Sequence, residues 1–150
     1  MKESYYIYNN EAIACCTILS VLKKARSMSI AKLCLVLPFL LDDRTVSLLL
    51  TYLGKKVTIK ELVSNNSSRF SSFNQRFKVL LPVLVNSIMI LHDAKLVELS
   101  QKVIKISNTD IVIDDYGERL DKINQVSSVF ANMLDNQDQT ELYKILKIQL

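Results

Sequence analysis

The stretch KLVELSQKVIKISNTDIVI, residues 95–113, decides the fold class because it departs from the helical periodicity of the chain around it. Residues 95–99 and 102–106 are rich in Val, Ile and Leu, as strands are, and residues 107–110 form a polar turn sequence. Residues 111–113 have the composition of a return strand. The stretch therefore predicts one β-hairpin, at about residues 96–113, in an otherwise helical chain.

The sequence before the hairpin predicts helices. Apolar residues follow helical spacing from Glu11 onward, and residues 27–29 mark a break after this first helix. A second helix is predicted from about residue 30 to residue 40, where Pro38 should stop or kink it. A third helix is predicted at residues 44–53. Short polar residues stand where caps are needed: Asn9 or Asn10 before the first helix, Asp42 or Asp43 before the third, and Thr58 with Glu61 as a capping box for a short helix at 59–63.

The order of elements between residues 44 and 113 is close to that of a winged helix-turn-helix. Many other α+β domains also place a hairpin after a helix. The remaining predicted elements are a loop at 64–68, a helix at 69–79, a helix from Pro82 to about His92, and C-terminal helices at 116–134 and 139–150.

These patterns predict a mainly α (α+β) fold, a helical bundle with a winged-helix-like part, one β-hairpin and C-terminal helices. We expect a single domain over residues 1–150. Within it, residues 1–54 form N-terminal helices, residues 55–115 the winged-helix-like part, and residues 116–150 the acidic C-terminal helices.

Charge is unevenly distributed along the chain. Residues 20–105 contain 14 Lys or Arg against 5 Asp or Glu, whereas residues 106–150 contain 4 against 8. A basic body favours an anionic partner, but the two parts also have the charge to pair with each other. The basic residues around the predicted helix-turn-helix and hairpin are candidates for phosphate contact, unless they only form a solvated face: Lys55, Lys56, Lys60, Arg69, Arg76, Lys78, Lys102 and Lys105.

The chain is rich in aliphatic residues, with 49% hydrophobic residues and a mean hydropathy of +0.19. The apolar residues between positions 33 and 50 exceed what one helix face can bury. Either these helices are central in the domain, or a partner covers part of their surface. The partner-interface candidates are Leu33, Leu37, Phe39, Leu40 and Leu41.

Motifs of catalysis and cofactor binding are absent from the sequence. There is no phosphate-binding glycine loop and no nucleophile elbow, and His92 is the single histidine. His92 fits a helix C-terminus better than a catalytic role. The acidic residues Asp110, Asp114, Asp115 and Glu118 are of the types that bind hard cations, but Asp114 and Asp115 also fit a helix cap. We therefore predict no enzymatic activity, no catalytic or metal-binding residues and no cofactor.

The cellular setting is predicted from cysteines and apolar runs. Cys15, Cys16 and Cys34 form a poor disulfide framework and suit a reducing compartment. The longest apolar run, residues 79–91, is shorter than the roughly 20 residues of a membrane span, so we interpret it as a core helix. We expect a cytoplasmic protein that does not bind membranes.

The N-terminal third resembles a known family. A helix opened by asparagine at residues 9–12 leads to Leu35-Val36-Leu37-Pro38-Phe39-Leu40-Leu41 and then to the polar step Asp43-Arg44-Thr45. This arrangement is similar to the middle component of bacterial ABC-three-component systems, which include Lamassu-type anti-phage operons. Residues 58–113 would correspond to a later winged-helix-like part. The resemblance implies a non-catalytic subunit that accompanies an SMC-like ABC ATPase and an effector, often a nuclease, with DNA contacted directly or through the complex.

Overall fold

The computed structural model describes residues 10–113 and 117–150. The elements in chain order are α1 Glu11–Ala25, β1 Ser27–Ser29, α2 Ile30–Leu33, α3 Val36–Leu40, α4 Asp43–Leu50, α5 Ile59–Asn65, α6 Ser67–Phe70, α7 Phe73–Asp93, β2 Val97–Ser100, β3 Val103–Ile106, α8 Glu118–Leu134 and α9 Gln139–Ile145. The chain is mostly helical with a small antiparallel sheet and C-terminal helices. The predicted α+β class is confirmed.

The predicted helix caps are confirmed at three positions. The Asn10 side chain accepts hydrogen bonds from the backbone N–H groups of Ala12 and Ile13, at 3.0 and 3.2 Å. The Asp42 side chain accepts from the N–H of Thr45. Thr58 and Glu61 form the reciprocal capping box. Each cap satisfies a backbone donor that the first turn of a helix leaves without a partner.

The sheet differs from the predicted hairpin. Its order is β1-β3-β2, and both pairings are antiparallel. The chain reverses at Gln101, whose φ is +54°, rather than at residues 107–110. Residues 111–113 are not a strand, because β3 already has a neighbour on each side. Residues 27–29, predicted as a break, form the third strand, since Met28 pairs with Ile104 and turns into the core.

The prolines act differently from the prediction. The helix predicted at 30–40 is divided into α2 and α3, and Pro38 lies in the first turn of α3, where a missing N–H costs little. The helices predicted on either side of Pro82 are one helix, α7. Pro82 is exposed, so the Lys78 carbonyl that loses its helical donor lies on the solvent side.

The core lies where α1, α3, α7 and α8 meet. Helix α1 packs against both α7 and α8. The Phe39 ring of α3 contacts the rings of Phe70, Phe73 and Phe130, with centroid distances of 5.5, 5.3 and 4.9 Å. One hydrophobic cluster includes buried residues from Ala14 to Leu146. The buried sides of α7 and α8 therefore pack against the same core, and their other sides face solvent.

Candidate interaction surfaces

The five predicted partner-interface residues lie inside the chain. Leu33, Leu37, Phe39 and Leu40 are 0% exposed, and Leu41 is 2% exposed. The sequence left two alternatives for these apolar residues, burial in the centre of the fold or cover by a partner. In the structure they are buried, because α2 and α3 lie in the core. These side chains are therefore not accessible to a partner in this conformation.

Arg76 is a core residue and not an exposed phosphate contact. Its Nε donates to the Pro38 carbonyl at 3.2 Å, and its Nη1 donates to the Ser72 hydroxyl at 2.7 Å. Its guanidinium lies 5.3 Å from the Phe73 ring centroid. Arg76 is only 8% exposed and joins α7 to α3. The sequence signal that could have placed it on the buried side of the helix is its spacing of three from Phe73.

The other seven basic candidates are exposed or partly exposed, but they lie on separate elements. Arg69 Nη1 donates to the Arg44 carbonyl at 3.3 Å. In the hairpin, Lys105 lies opposite Glu98 in the β2–β3 register, which places a carboxylate beside this lysine. The remaining five are Lys55 and Lys56 in the loop before α5, Lys60 on α5, Lys78 on α7, and Lys102 at the hairpin turn. They do not form one continuous basic stripe along a single element.

Lys55 and Lys56 line a groove of about 730 Å³ whose opposite wall is the second half of α8. A neighbouring groove of about 480 Å³ is lined by Lys24 and Lys32. Asn132 and Asp135 line both, so the two form one continuous surface, which we call the α8 groove. Its charges are mixed: lysines come from α1, α2 and the loop, and carboxylates come from the end of α8 and the segment after it.

The walls of the α8 groove are held by specific hydrogen bonds. Lys32 Nζ donates to the Leu134 carbonyl at 2.8 Å, which joins α2 to the end of α8. The Ser29 hydroxyl donates to Gln139 Oε1 at 3.0 Å. The Asp138 carboxylate accepts from the N–H of Glu141 and so caps α9. The exposed charged groups of the groove that take no part in capping a helix include Lys24, Lys55, Lys56 and Asp135.

A second surface covers the outward side of α7. Val79, Val85, Met89 and Ile90 are between 44% and 59% exposed, and Pro82 is exposed among them. We call these five residues the α7 face. The opposite side of the helix is buried, with Phe73, Phe77, Leu80, Leu84 and Leu91 in the core. The sequence interpretation missed this face because the run 79–91 was assigned to the core as a whole.

The three cysteines are free thiols that lie partly buried on helical segments. Burial raises the pKa of the Cys15, Cys16 and Cys34 thiols. Burial also raises the pKa of Tyr143, whose hydroxyl donates to the Ala31 carbonyl. Raised thiol pKa values disfavour the reactive thiolate, so these residues fit a packing role.

His92 and the acidic residues form no metal-binding cluster in the part of the chain that the structure describes. His92 lies in the last turn of α7, with its Nδ1 3.9 Å from Asp93 Oδ1. Among residues 10–113 and 117–150, no group of three or more His, Cys, Asp or Glu side chains is placed to hold a metal ion. Asp114 and Asp115 lie outside the described residues. None of the described helices is long and apolar enough to cross a membrane.

Comparison with known proteins gives one match. The family model described as ABC-three component (ABC-3C) system Middle Component 3 matches residues 5–150. No curated protein matches the chain, and no solved structure does. The family match includes the α8 groove, the α7 face and the whole of the core. The chain therefore belongs to the middle component 3 family of ABC-three-component systems.

Proposed function

We propose that this chain is a non-catalytic bridging or regulatory subunit of a bacterial defence complex against phage or plasmids, of the Lamassu-like kind. Its partners in this proposal are an SMC-like ABC ATPase and an effector such as a nuclease. The family match over residues 5–150 carries the proposal, because its description names one component of a three-component system. The α8 groove and the α7 face support it, because both are exposed surfaces that a partner can reach.

The α8 groove is the surface that suits a protein partner best. Its exposed charged groups include Lys24, Lys55, Lys56 and Asp135, so it presents both signs of charge. Such a surface selects a complementary protein surface and disfavours a uniformly anionic ligand such as duplex DNA. The α8 groove is also concave, which allows a loop or helix of the partner to enter.

The loop that presents the two lysines is short and anchored at both ends. On one side, the Lys55 N–H donates to the Tyr52 carbonyl at 2.9 Å, and Gly54 adopts a φ of +74° that L side chains rarely adopt. On the other side, the Thr58–Glu61 capping box fixes the start of α5. An anchored loop loses less conformational entropy when a partner binds, so it supports affinity from few contacts.

Co-purification tests the proposal directly. The chain would be co-expressed with an ABC ATPase and an effector encoded beside it, and complexes would be isolated through a tag on the ATPase. The double variant Lys55→Glu/Lys56→Glu should weaken the complex at least tenfold, because it reverses two exposed charges in the groove. The matched control Lys102→Glu/Lys105→Glu makes the same charge change in the hairpin and should keep the complex. A wild-type chain that forms no complex with either protein would overturn the proposal.

A second candidate function is a stand-alone winged-helix regulator that binds DNA. One observation favours it: a β-hairpin with an exposed lysine at its turn, Lys102, follows the long helix α7. The exposed side of α7 is apolar, however, whereas a helix that reads the major groove needs polar side chains.

Salt-dependent binding to a DNA duplex separates this candidate from the first. If the hairpin contacts phosphates, the double variant Lys102→Ala/Lys105→Ala should make the slope of log K, the association constant for DNA, against log salt concentration less negative by about 1 to 2. Lys55→Ala/Lys56→Ala serves as the matched pair. No duplex binding at low salt would exclude the regulator.

A further inference from the structure

The outward side of α7 has an apolar centre between two opposite charges, an arrangement that the proposed bridging role leaves unexplained. At about 100° of rotation per residue, the exposed side chains from Lys78 to Asp93 fall within one half of the helix surface. Along the helix axis, the five residues of the α7 face all lie between Lys78 and Asp93. Lys78 lies at one end and Asp93 at the other, about 22 Å apart along the axis. An apolar centre with opposite charges at its two ends complements itself when one copy is turned end to end.

We propose that two copies of this chain associate through antiparallel packing of their α7 helices. With the two-fold axis beside Val85 and Asn86, Met89 of each copy lies opposite Pro82 of the other. The long, flexible methionine side chain then fills the space left by the compact proline ring. Lys78 of each copy lies opposite Asp93 of the other, so one interface contains this charge pair twice, as an isologous contact requires.

The charge at the end of α7 points to a second copy. Asp93 is the last residue of the helix, where the partial negative charge of the helix C-terminus disfavours a carboxylate. His92 Nδ1 is 3.9 Å away, too far for a hydrogen bond. The Lys78 side chain of an antiparallel copy compensates both the carboxylate and the helix end. A parallel pair would instead place like charges together.

The polar residue at the centre of the interface is held within its own chain. Asn86 Nδ2 donates to Glu11 Oε1 at 3.2 Å, which draws the amide toward the start of α1. The amide is therefore not left without a partner when α7 is covered. Val85, at 51% exposure, is the side chain next to the axis.

Sedimentation equilibrium of the purified chain tests the dimer and its register. We expect a concentration-dependent monomer–dimer equilibrium. Lys78→Asp and Asp93→Lys should each raise the dimer dissociation constant about tenfold, because each replaces two attractive pairs by two repulsive pairs. The double variant Lys78→Asp/Asp93→Lys should restore the wild-type constant, since the pairs are re-formed with reversed sign.

Two further variants test whether loss of the dimer is specific to substitutions on the α7 face. Val85→Asp should abolish the dimer, whereas Val112→Asp, at another exposed valine of 67% exposure, should leave it intact. Thermal unfolding by circular dichroism verifies that each variant is folded. A chain that stays monomeric at millimolar concentration overturns the proposal, and so does a double charge variant that fails to restore the dimer. Because the α8 groove is not involved, loss of the ATPase complex and loss of the dimer are separate outcomes.

Discussion

Residues 33–41 and residues 79–91 are the two most apolar stretches of the chain, yet they lie in opposite environments. In the first stretch, side chains in every direction around α2 and α3 meet other parts of the chain, and Phe39 alone contacts three other phenylalanine rings. In the second stretch, only one side of α7 meets the core, and the other side faces solvent. Apolar content alone therefore does not distinguish a buried helix from a half-exposed one. The number of elements packed around the helix decides which it is.

Truncation of one large apolar side chain from each stretch should show the largest difference. Phe39→Ala removes a fully buried ring and should lower the free energy of unfolding by about 3–5 kcal/mol. Met89→Ala removes a side chain that is 59% exposed and should change it by less than about 0.5 kcal/mol. Urea unfolding followed by circular dichroism measures both at a monomeric protein concentration. Equal losses for the two variants would mean that α7 is covered on both sides.

The features that were predictable from the sequence are local. Asn10, Asp42 and the Thr58–Glu61 pair could be assigned because a cap and the N–H groups it accepts from lie within three residues of each other. The bounds of α8 were predicted almost correctly for the same reason, since its apolar spacing is regular over many turns.

The features that were missed depend on distant residues. Strand β1 has only one apolar residue, and it becomes a strand because β3, more than seventy residues away, pairs with it. The burial of Leu37 and the exposure of Val85 depend on which helices pack around them, and periodicity within one helix does not determine this. The α7 face could not be recognised from the sequence, because its residues have the same apolar composition as core residues.

Arg76 and Lys78, two residues apart on α7, allow the buried and exposed sides of this helix to be compared at two basic residues. Arg76→Ala leaves the Pro38 carbonyl without its donor at a buried position and removes the contact with Phe73, so we expect a loss of about 2–3 kcal/mol in unfolding free energy. Lys78→Ala, at an exposed site, should stay within about 0.5 kcal/mol. Urea unfolding of the two variants side by side measures the difference. An Arg76→Ala protein of wild-type stability would show that the guanidinium does not hold α7 to α3.

Helix α1 packs against both α7 and α8. A substitution at its buried Ser20 should give the smallest of these effects, and it tests how tightly the core around α1 is packed. Ser20 is fully buried, and its hydroxyl has no hydrogen-bond partner within residues 10–113 and 117–150, whereas the buried hydroxyl of Ser127 on α8 donates to the Ile123 carbonyl at 2.8 Å. A buried hydroxyl without a partner destabilises a fold, so Ser20→Ala should raise the free energy of unfolding by about 1 kcal/mol.

Ser127→Ala makes the same atomic change at a hydroxyl that has a partner, and should leave stability unchanged or lower it by up to about 1 kcal/mol. The two variants are therefore expected to differ in sign, which calorimetric unfolding of the pair measures without reference to any absolute value. A destabilised Ser20→Ala protein would mean that removal of the hydroxyl leaves a cavity in the core. The packing contribution of the hydroxyl would then exceed the cost of burying it without a hydrogen-bond partner. Stabilisation would show that the cost of the unpaired hydroxyl exceeds its packing contribution in α1.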